Sequence, residues 1–370
     1  MKVCFVCSHS FIKPGGIKNH ILELSEEYKK RGIEVKIIAP KRNNNESYEK
    51  DIILLGKSLP FNVAGTQGDI CFISNTKEIN KILEREKFDV IHFHNFVVPF
   101  VWQILNRSKS LNILTFHANI EAMPLFKIFI PFSDFFVKKL NNKINGIIGV
   151  APMIMEYFKA FKGNKKIIPN GINLNSFNPN NPKIQEYLDG KINLLFVGRF
   201  EERKGPLYAL KAYKIVKKIN NNVRLIMVGE GPLKKQCDEY IKKNNLKDVV
   251  FVGKKTGEEV AKYFNTCDIY ISPAPFGESF GIVLLEAMAS QKPIVGFANL
   301  GYYQLLKETR GERFLAKPRD VEELAQKILL LTENKELREE MGNWGLEHSK
   351  KYSWDKIANM VLDFYNSSKN

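Results

Sequence analysis

A helix that crosses a bilayer needs roughly 18 consecutive apolar residues, and no such run occurs in the 370 residues of this chain, so no membrane-spanning helix is expected. The chain enters the β-branched run Lys2 to Cys7 at once, without a basic stretch, an apolar core and a small-residue cleavage site, so no secretory signal is expected either. Cysteine is scarce and odd in number: Cys4, Cys7, Cys71, Cys237 and Cys267 are scattered, which excludes a disulfide framework and fits a reducing, cytoplasmic location. Cys4 and Cys7 form a C-x-x-C, but on a strand alternate side chains face opposite ways, so a redox pair is not expected. After the first strand the glycines stand as Gly15-Gly16 and not as G-x-G-x-x-G, which removes the main support for a dehydrogenase of the dinucleotide type. Acidic residues are in deficit, 40 against 56 Lys and Arg, and the resulting charge of +16 favours anionic partners.

What is present is an ordinary globular composition, 44% apolar and 26% charged, in a chain long enough for two or three domains. Short β-branched runs alternate with amphipathic segments, the pattern of βα units feeding a parallel sheet. The first series of strands is expected at Lys2 to Cys7, Glu34 to Pro40, Asp89 to His94, Ile113 to His117, Gly146 to Val150 and Lys166 to Pro169. Ile17, Ile21, Leu24 and Tyr28 recur at helical spacing after the first of them. A second series is expected at Asn193 to Val197, Arg224 to Val228, Val249 to Val252, Ile269 to Ser272 and Pro293 to Phe297. The Asn- and Pro-rich stretch between the two reads as a connection. The expected organisation is a domain over 1–174, a linker over 175–190, a domain over 191–352 and a C-terminal helix within 353–370, whose packing partner the pattern leaves open. The fold class is α/β: two Rossmann-like, doubly wound domains facing each other across a cleft, with ligand at the carboxyl ends of the strands.

Three motifs carry chemistry. Gly15-Gly16 lies at a strand-to-helix junction, where backbone can approach a ligand closely or simply turn tightly. Arg199 and Lys204 flank the loop that opens the second domain, and two fixed cations beside a helix start can clamp a diphosphate without a metal. The run Phe276 to Ala289 spaces Glu278 and Glu286 by eight positions, about 12 Å along a helix. Two carboxylates so far apart cannot share one reacting atom, but they can hold hydroxyls on opposite sides of a diphosphate. The bland alternative makes Glu278 an acidic cap at the start of a helix and Glu286 a surface charge. His92 and His94 share a strand face, but no third metal ligand stands at suitable spacing, so no metal is expected. His348 lies in a charged helix and is expected on the surface.

Gly277 to Ala289, with Gly198-Arg199, Lys204-Gly205, Val228-Gly229-Glu230-Gly231-Pro232 and Pro169-Asn170-Gly171-Ile172, resembles the retaining glycosyltransferases of family 4, which have the GT-B fold. In the first half Pro14-Gly15-Gly16, His20, Phe88-Asp89-Val90-Ile91-His92-Phe93-His94 and Thr115-Phe116-His117 narrow the likeness to bacterial phosphatidylinositol mannosyltransferases. The resemblance implies a nucleotide diphosphate sugar donor, GDP-mannose favoured and a UDP-sugar open, with no bound metal or other cofactor. It makes Gly16 a backbone contact to the diphosphate and Arg199 and Lys204 its clamp. Glu278 is then assigned to sugar hydroxyls, Glu286 to the ribose, Ser279, Phe280 and Gly281 to the donor loop, and His117 to a place beside the reacting sugar. His9, Lys18 and His20 fall on the acceptor side. The implied reaction moves a hexose to a lipid or glycan acceptor at the cytoplasmic membrane face, by positioning and charge stabilisation. The alternatives are a non-transferring sugar-nucleotide enzyme such as an epimerase, or a basic nucleic-acid-binding protein. No basic stripe with interleaved aromatics supports the latter, so no nucleic-acid partner is expected.

The chain departs from these mannosyltransferases in four places, one of them the run Asn95-Phe96-Val97-Val98-Pro99-Phe100 after His94, more apolar than the Glu-Pro type sequence of the relatives. Lys77, Lys81, Arg85 and Lys87 are interleaved with Glu78, Glu84 and Glu86 where the relatives carry a dense basic cluster, which weakens attraction to anionic lipid. Lys18 replaces a polar amide, and the stretch around Gly253 to Gly257 lacks an acidic pair for guanine. Pro124 to Leu140 combines aromatic and aliphatic residues with Lys127, Lys138 and Lys139, an arrangement that docks at a lipid interface or packs in a core.

Overall fold

The computed structural model describes every residue except 13–14, 44, 49, 64–65, 72–73, 97, 118–136 and 370, and the side chains of 61–70. It divides into two units, Met1–Gly171 with Trp354–Asn370, and Ile172–Ser353.

The first unit is built on a seven-stranded sheet in the order β3-β2-β1-β6-β7-β8-β9. The strands are β1 (Lys2–Cys7), β2 (Glu34–Lys41), β3 (Ile52–Lys57), β6 (Val90–His94), β7 (Leu111–Phe116), β8 (Gly146–Gly149) and β9 (Asn164–Ile167), and β4 (Leu59–Val63) and β5 (Thr66–Ile70) form a separate antiparallel hairpin. Every pairing in the large sheet is parallel. The apolar strands β1, β6 and β7 are buried almost end to end, as a parallel sheet covered on both faces requires. Their alternation splits the core in two: Cys4 and Val6 join one cluster, while Val3, Phe5 and Cys7 join the other. The two cysteines therefore do point apart.

Ile21, Leu24 and Tyr28 of the helix Gly16–Lys30 share their cluster with Ile357, Val361, Phe364 and Tyr365 of the helix Trp354–Ser367. The C-terminal helix thus belongs to the first unit, the point that periodicity left open. It packs so closely that a Cβ on Gly171 would enter the Trp354 ring, and one on Gly146 would come within 2.7 Å of Phe364. β9 runs two residues earlier than the expected Lys166 to Pro169, because its residues are exposed at the sheet edge and carry no apolar pattern.

The second unit carries a six-stranded sheet in the order β12-β11-β10-β13-β14-β15: β10 (Ile192–Val197), β11 (Val223–Val228), β12 (Val249–Phe251), β13 (Ile269–Ser272), β14 (Ile294–Phe297) and β15 (Leu315–Ala316). All pairings are again parallel. Residues 175–190, expected as a linker, are part of this unit. Phe177 packs on Phe264 with ring centroids 5.7 Å apart, Tyr187 is buried, and the Ile184 amide donates to Thr266 Oγ1 at 2.9 Å. Asn and Pro marked irregular backbone there, but a few apolar anchors fix it to the core.

In both sheets the strand order reverses beside the first strand, between β1 and β6 and between β10 and β13. Such switch points open a crevice at the carboxyl ends of the strands, where ligands bind in doubly wound folds.

Candidate active site

In the second unit Arg199 follows β10, and a short turn over Glu202–Lys204 leads to the helix Pro206–Ile219. Gly205 joins turn and helix at φ +72°, and a Cβ there would collide with the carbonyl oxygen of Pro273, just past β13. Only glycine lets the loop come so near, and the approach delivers Lys204 to Glu278, with Nζ 2.6 Å from Oε1. The Arg203 guanidinium reaches the same oxygen at 3.4 Å and holds Glu201 Oε1 at 2.7 Å. Arg199 stands 3.5 Å from the other Glu201 oxygen with its side chain 42% exposed, whereas both carboxylates are buried. Arg203 and Glu201 complete an alternating chain of charges that the sequence reading did not assign. Their signal was present as the charged run between Phe200 and Gly205.

Glu278 does not begin a helix, as expected from the motif. The helix starts at Ile282, with Gly281 as its cap at φ +104°. Gly277 is also left-handed, so the stretch before Ile282 leaves helical geometry. The loop is held from behind: Asn299 Nδ2 donates to Ala274 O at 2.9 Å and the Tyr302 hydroxyl pairs with Ser272 Oγ at 2.7 Å. Ser279, Phe280 and Gly281 lie in this loop. The Phe280 ring is buried, 5.8 Å from that of Tyr352. Glu286 is half-buried on the helix Ile282–Ala289 and not a surface charge; desolvation pushes its carboxyl up to about 7, partly opposed by the Lys204 charge.

In the first unit the carboxyl edge of the sheet collects histidines from separate elements. His94 ends β6, His117 follows β7, and His20 lies in the helix that begins at Gly16. His94 Nδ1 is 2.9 Å from His117 Nε2, and the His117 amide donates to Asn95 Oδ1 at 3.1 Å. His20 Nδ1 is 3.0 Å from Asn170 Oδ1, and its ring meets those of His117 and Trp354 edge-on at 4.8 and 4.9 Å. Burial lowers all three imidazoles, His20 to about 4, so they are neutral near pH 7. One nitrogen from each lies within 4.8 Å of the others, a set able to hold a metal ion. The expectation that His94 has no third ligand is thereby corrected, since sequence spacing does not show what parallel strand ends bring together. His92 is a core residue, bonded at 2.6 Å to both the Tyr365 hydroxyl and Thr115 Oγ1.

Gly15 and Gly16 take no left-handed conformation, and a Cβ on either would meet nothing within 4 Å. Neither packing nor φ demands glycine there. Lys18 Nζ donates to the Phe11 carbonyl, and His9 is half-buried in the loop after β1. His348 is buried against Trp344 and not on the surface, because the helix Lys335–Ser349 turns that face inward. Of the segment Pro124 to Leu140, residues 124–136 lie outside the described residues, and Val137 and Leu140 are buried in the core. Among the described residues no helix is long and apolar enough to cross a membrane.

The chain matches two families, Glycosyltransferase Family 4 over residues 14–176 and Glycosyl transferases group 1 over residues 177–348. It is 28% identical over 374 residues to a phosphatidyl-myo-inositol mannosyltransferase of Mycobacterium leprae, covering 99% of this chain and 96% of that one. An uncharacterized glycosyltransferase of Methanocaldococcus jannaschii is 31% identical over 356 residues, 95% of this chain and 94% of its own. Among solved structures, sucrose-phosphate synthase from Thermosynechococcus elongatus superposes with a TM-score of 0.77 at 19% identity, covering 99% and 98% of the two chains, which establishes the GT-B fold.

Proposed function

Because this chain belongs to the glycosyltransferases, of family 4 in its first half and group 1 in its second, we propose that it transfers a hexose, with retention, from a nucleotide diphosphate sugar to a lipid or glycan acceptor. Mannose from GDP-mannose is the favoured donor, supported by the similarity to mannosyltransferases along the whole chain; a UDP-sugar is the second choice. The observation that carries the reading is the Arg199, Arg203, Lys204 and Glu278 cluster at the switch point of the second sheet.

The chemistry follows from charge. Leaving of a nucleoside diphosphate concentrates negative charge on phosphate oxygens, and preorganised cations stabilise it without a metal. Arg199 and Lys204 fill that role. Lys204 already contacts Glu278, whose carboxylate accepts hydroxyls of the donor sugar, while Glu286 holds the ribose and the backbone of Ser279, Phe280 and Gly281 lines the phosphates. Gly16 is assigned as a backbone contact to the diphosphate, supported by the open space where its Cβ would stand. His117 is assigned to the reacting sugar and His94 to holding its ring, supported by their 2.9 Å contact. His9, Lys18 and His20 are assigned to the acceptor side. The reaction is placed at the cytoplasmic membrane face, with the chain peripheral on an anionic surface.

Thermal shift and hydrolysis with GDP-mannose, UDP-glucose, UDP-galactose and UDP-N-acetylglucosamine test this reading. One donor stabilises the protein and is slowly hydrolysed, and Glu278→Ala abolishes the hydrolysis. Indifference to every sugar nucleotide overturns the reading.

A further inference from the structure

We infer that His20, His94 and His117 form a binding site for one divalent transition-metal ion of the zinc class, an ion that sugar transfer itself does not require. Each imidazole offers one nitrogen, and the three nitrogens lie within 4.8 Å of one another. They come from three elements, a helix, the end of β6 and the turn after β7, so the sheet holds them in place without any ion.

The hydrogen bonds around the cluster leave lone pairs free. The Asn170 carbonyl oxygen accepts from His20 Nδ1, which therefore carries the proton and leaves Nε2 as an acceptor. That Nε2 is buried and, among the described residues, has no hydrogen-bond partner. His20 is 6% exposed and His94 fully buried. A metal-bound histidine is typically oriented through its second ring nitrogen by an amide or carboxylate oxygen, which is the relation Asn170 has to His20.

The remaining contact, His94 Nδ1 to His117 Nε2 at 2.9 Å, is held by one shared proton. Tetrahedral zinc with bonds of 2.0–2.1 Å places its nitrogens roughly 3.3 Å apart. An entering ion takes the lone pairs, the shared proton leaves to solvent, the His94 and His117 nitrogens part by a few tenths of an ångström, and the His20 nitrogen closes in from within 4.8 Å. The set holds imidazoles and no carboxylate, which selects zinc, cobalt, nickel or copper over magnesium or calcium. Phe5 and Trp354 wall it with apolar surface, their rings 5.7 Å from His94 and 4.9 Å from His20. His117 is only half-buried. Three protein ligands leave a fourth position for water.

The test uses the tag-free full chain after chelator treatment, titrated with Co2+ by visible absorption and with Zn2+ by calorimetry, with no sugar nucleotide present. One ion per chain is expected, with the intense visible bands of tetrahedral cobalt and one proton or more released. His117→Gln and His94→Gln, checked for folding by circular dichroism, are expected to lose the bands, Asn170→Ala to bind 10- to 100-fold more weakly, and His348→Gln to bind as the parent does. The inference is overturned by the absence of saturable binding in the parent, by binding unchanged in folded His117→Gln, or by a thiolate charge-transfer band that puts the ion on a cysteine. Because no donor is used, failure here leaves the transferase reading intact, and failure of that reading leaves the metal result intact.

Discussion

Glu286 gives the reading its most quantitative handle. Burial holds its carboxyl proton to about pH 7, from an ordinary value of 4.5. Only the carboxylate is charged enough to hold two ribose hydroxyls, so the competent fraction is about 0.9 at pH 8 and about 0.1 at pH 6. Apparent affinity scales with that fraction, so the Kd for the sugar nucleotide is expected to rise roughly tenfold between these two pH values. A sugar nucleotide is the right probe because its diphosphate, esterified at both ends, takes up no proton in this range. The sign for stability is the opposite. A carboxyl whose pKa is higher in the folded state than in the unfolded one favours the folded state at low pH, and that contribution is lost as pH rises from about 4.5 through about 7. Weaker binding at pH 6 is therefore not a symptom of unfolding through this group. Calorimetry across the range, on the parent and on Glu286→Gln, reads the effect. Lys204→Met should move the midpoint upward, since the Lys204 charge favours the carboxylate. A Kd that stays flat from pH 8 to pH 6 in the parent, or a slope that survives in Glu286→Gln, refutes the reasoning.

The other predictions concern the clamp, the packing and the surface. Arg199→Ala and Lys204→Ala should each lower kcat/KM by about 10²- to 10³-fold, as expected for a preorganised donor to developing charge; melting temperature should change little for the exposed Arg199 and fall for Lys204, the close partner of the buried Glu278 carboxylate; steady-state kinetics with the identified donor and thermal melts read this. Gly205→Ala should destabilise the second unit by about 2–3 kcal/mol in urea titrations, since its φ is +72° and its Cβ meets the Pro273 carbonyl. Gly171→Ala should shift Trp354 fluorescence and loosen the C-terminal helix from the first unit, because the added methyl enters the indole. Phe129→Glu with Phe132→Glu should reduce binding to anionic liposomes in a folded protein; unchanged binding removes the interfacial role of that segment.

Most of the strand plan was legible because a parallel sheet buried on both faces writes itself as continuous apolar runs, as in Val90 to His94 and Val223 to Val228. The misses fall where that rule weakens. β15 has only two residues, β9 is an exposed edge, and the hairpin β4–β5 stands outside the main sheet. Ile52–Lys57 carries an apolar run but follows a polar stretch without helical periodicity, so no βα unit announced it. At the site, Arg199, Lys204 and Glu278 could be named from the sequence because each adjoins a glycine in a segment that follows a strand. That Glu278 stays in a loop was hidden, because left-handed glycines at 277 and 281 interrupt what reads as one apolar helix. The histidine cluster was hidden for another reason: His20, His94 and His117 are neighbours only through strand pairing and helix packing, which no local spacing encodes.

The most direct test of the central claim is proton NMR of the sugar first released when the protein turns over its sugar nucleotide with water as acceptor. The account predicts release of the anomer with the configuration of the donor, lost in Glu278→Ala and in Lys204→Ala. First release of the opposite anomer contradicts a retaining transfer, and release undiminished in both variants contradicts the site.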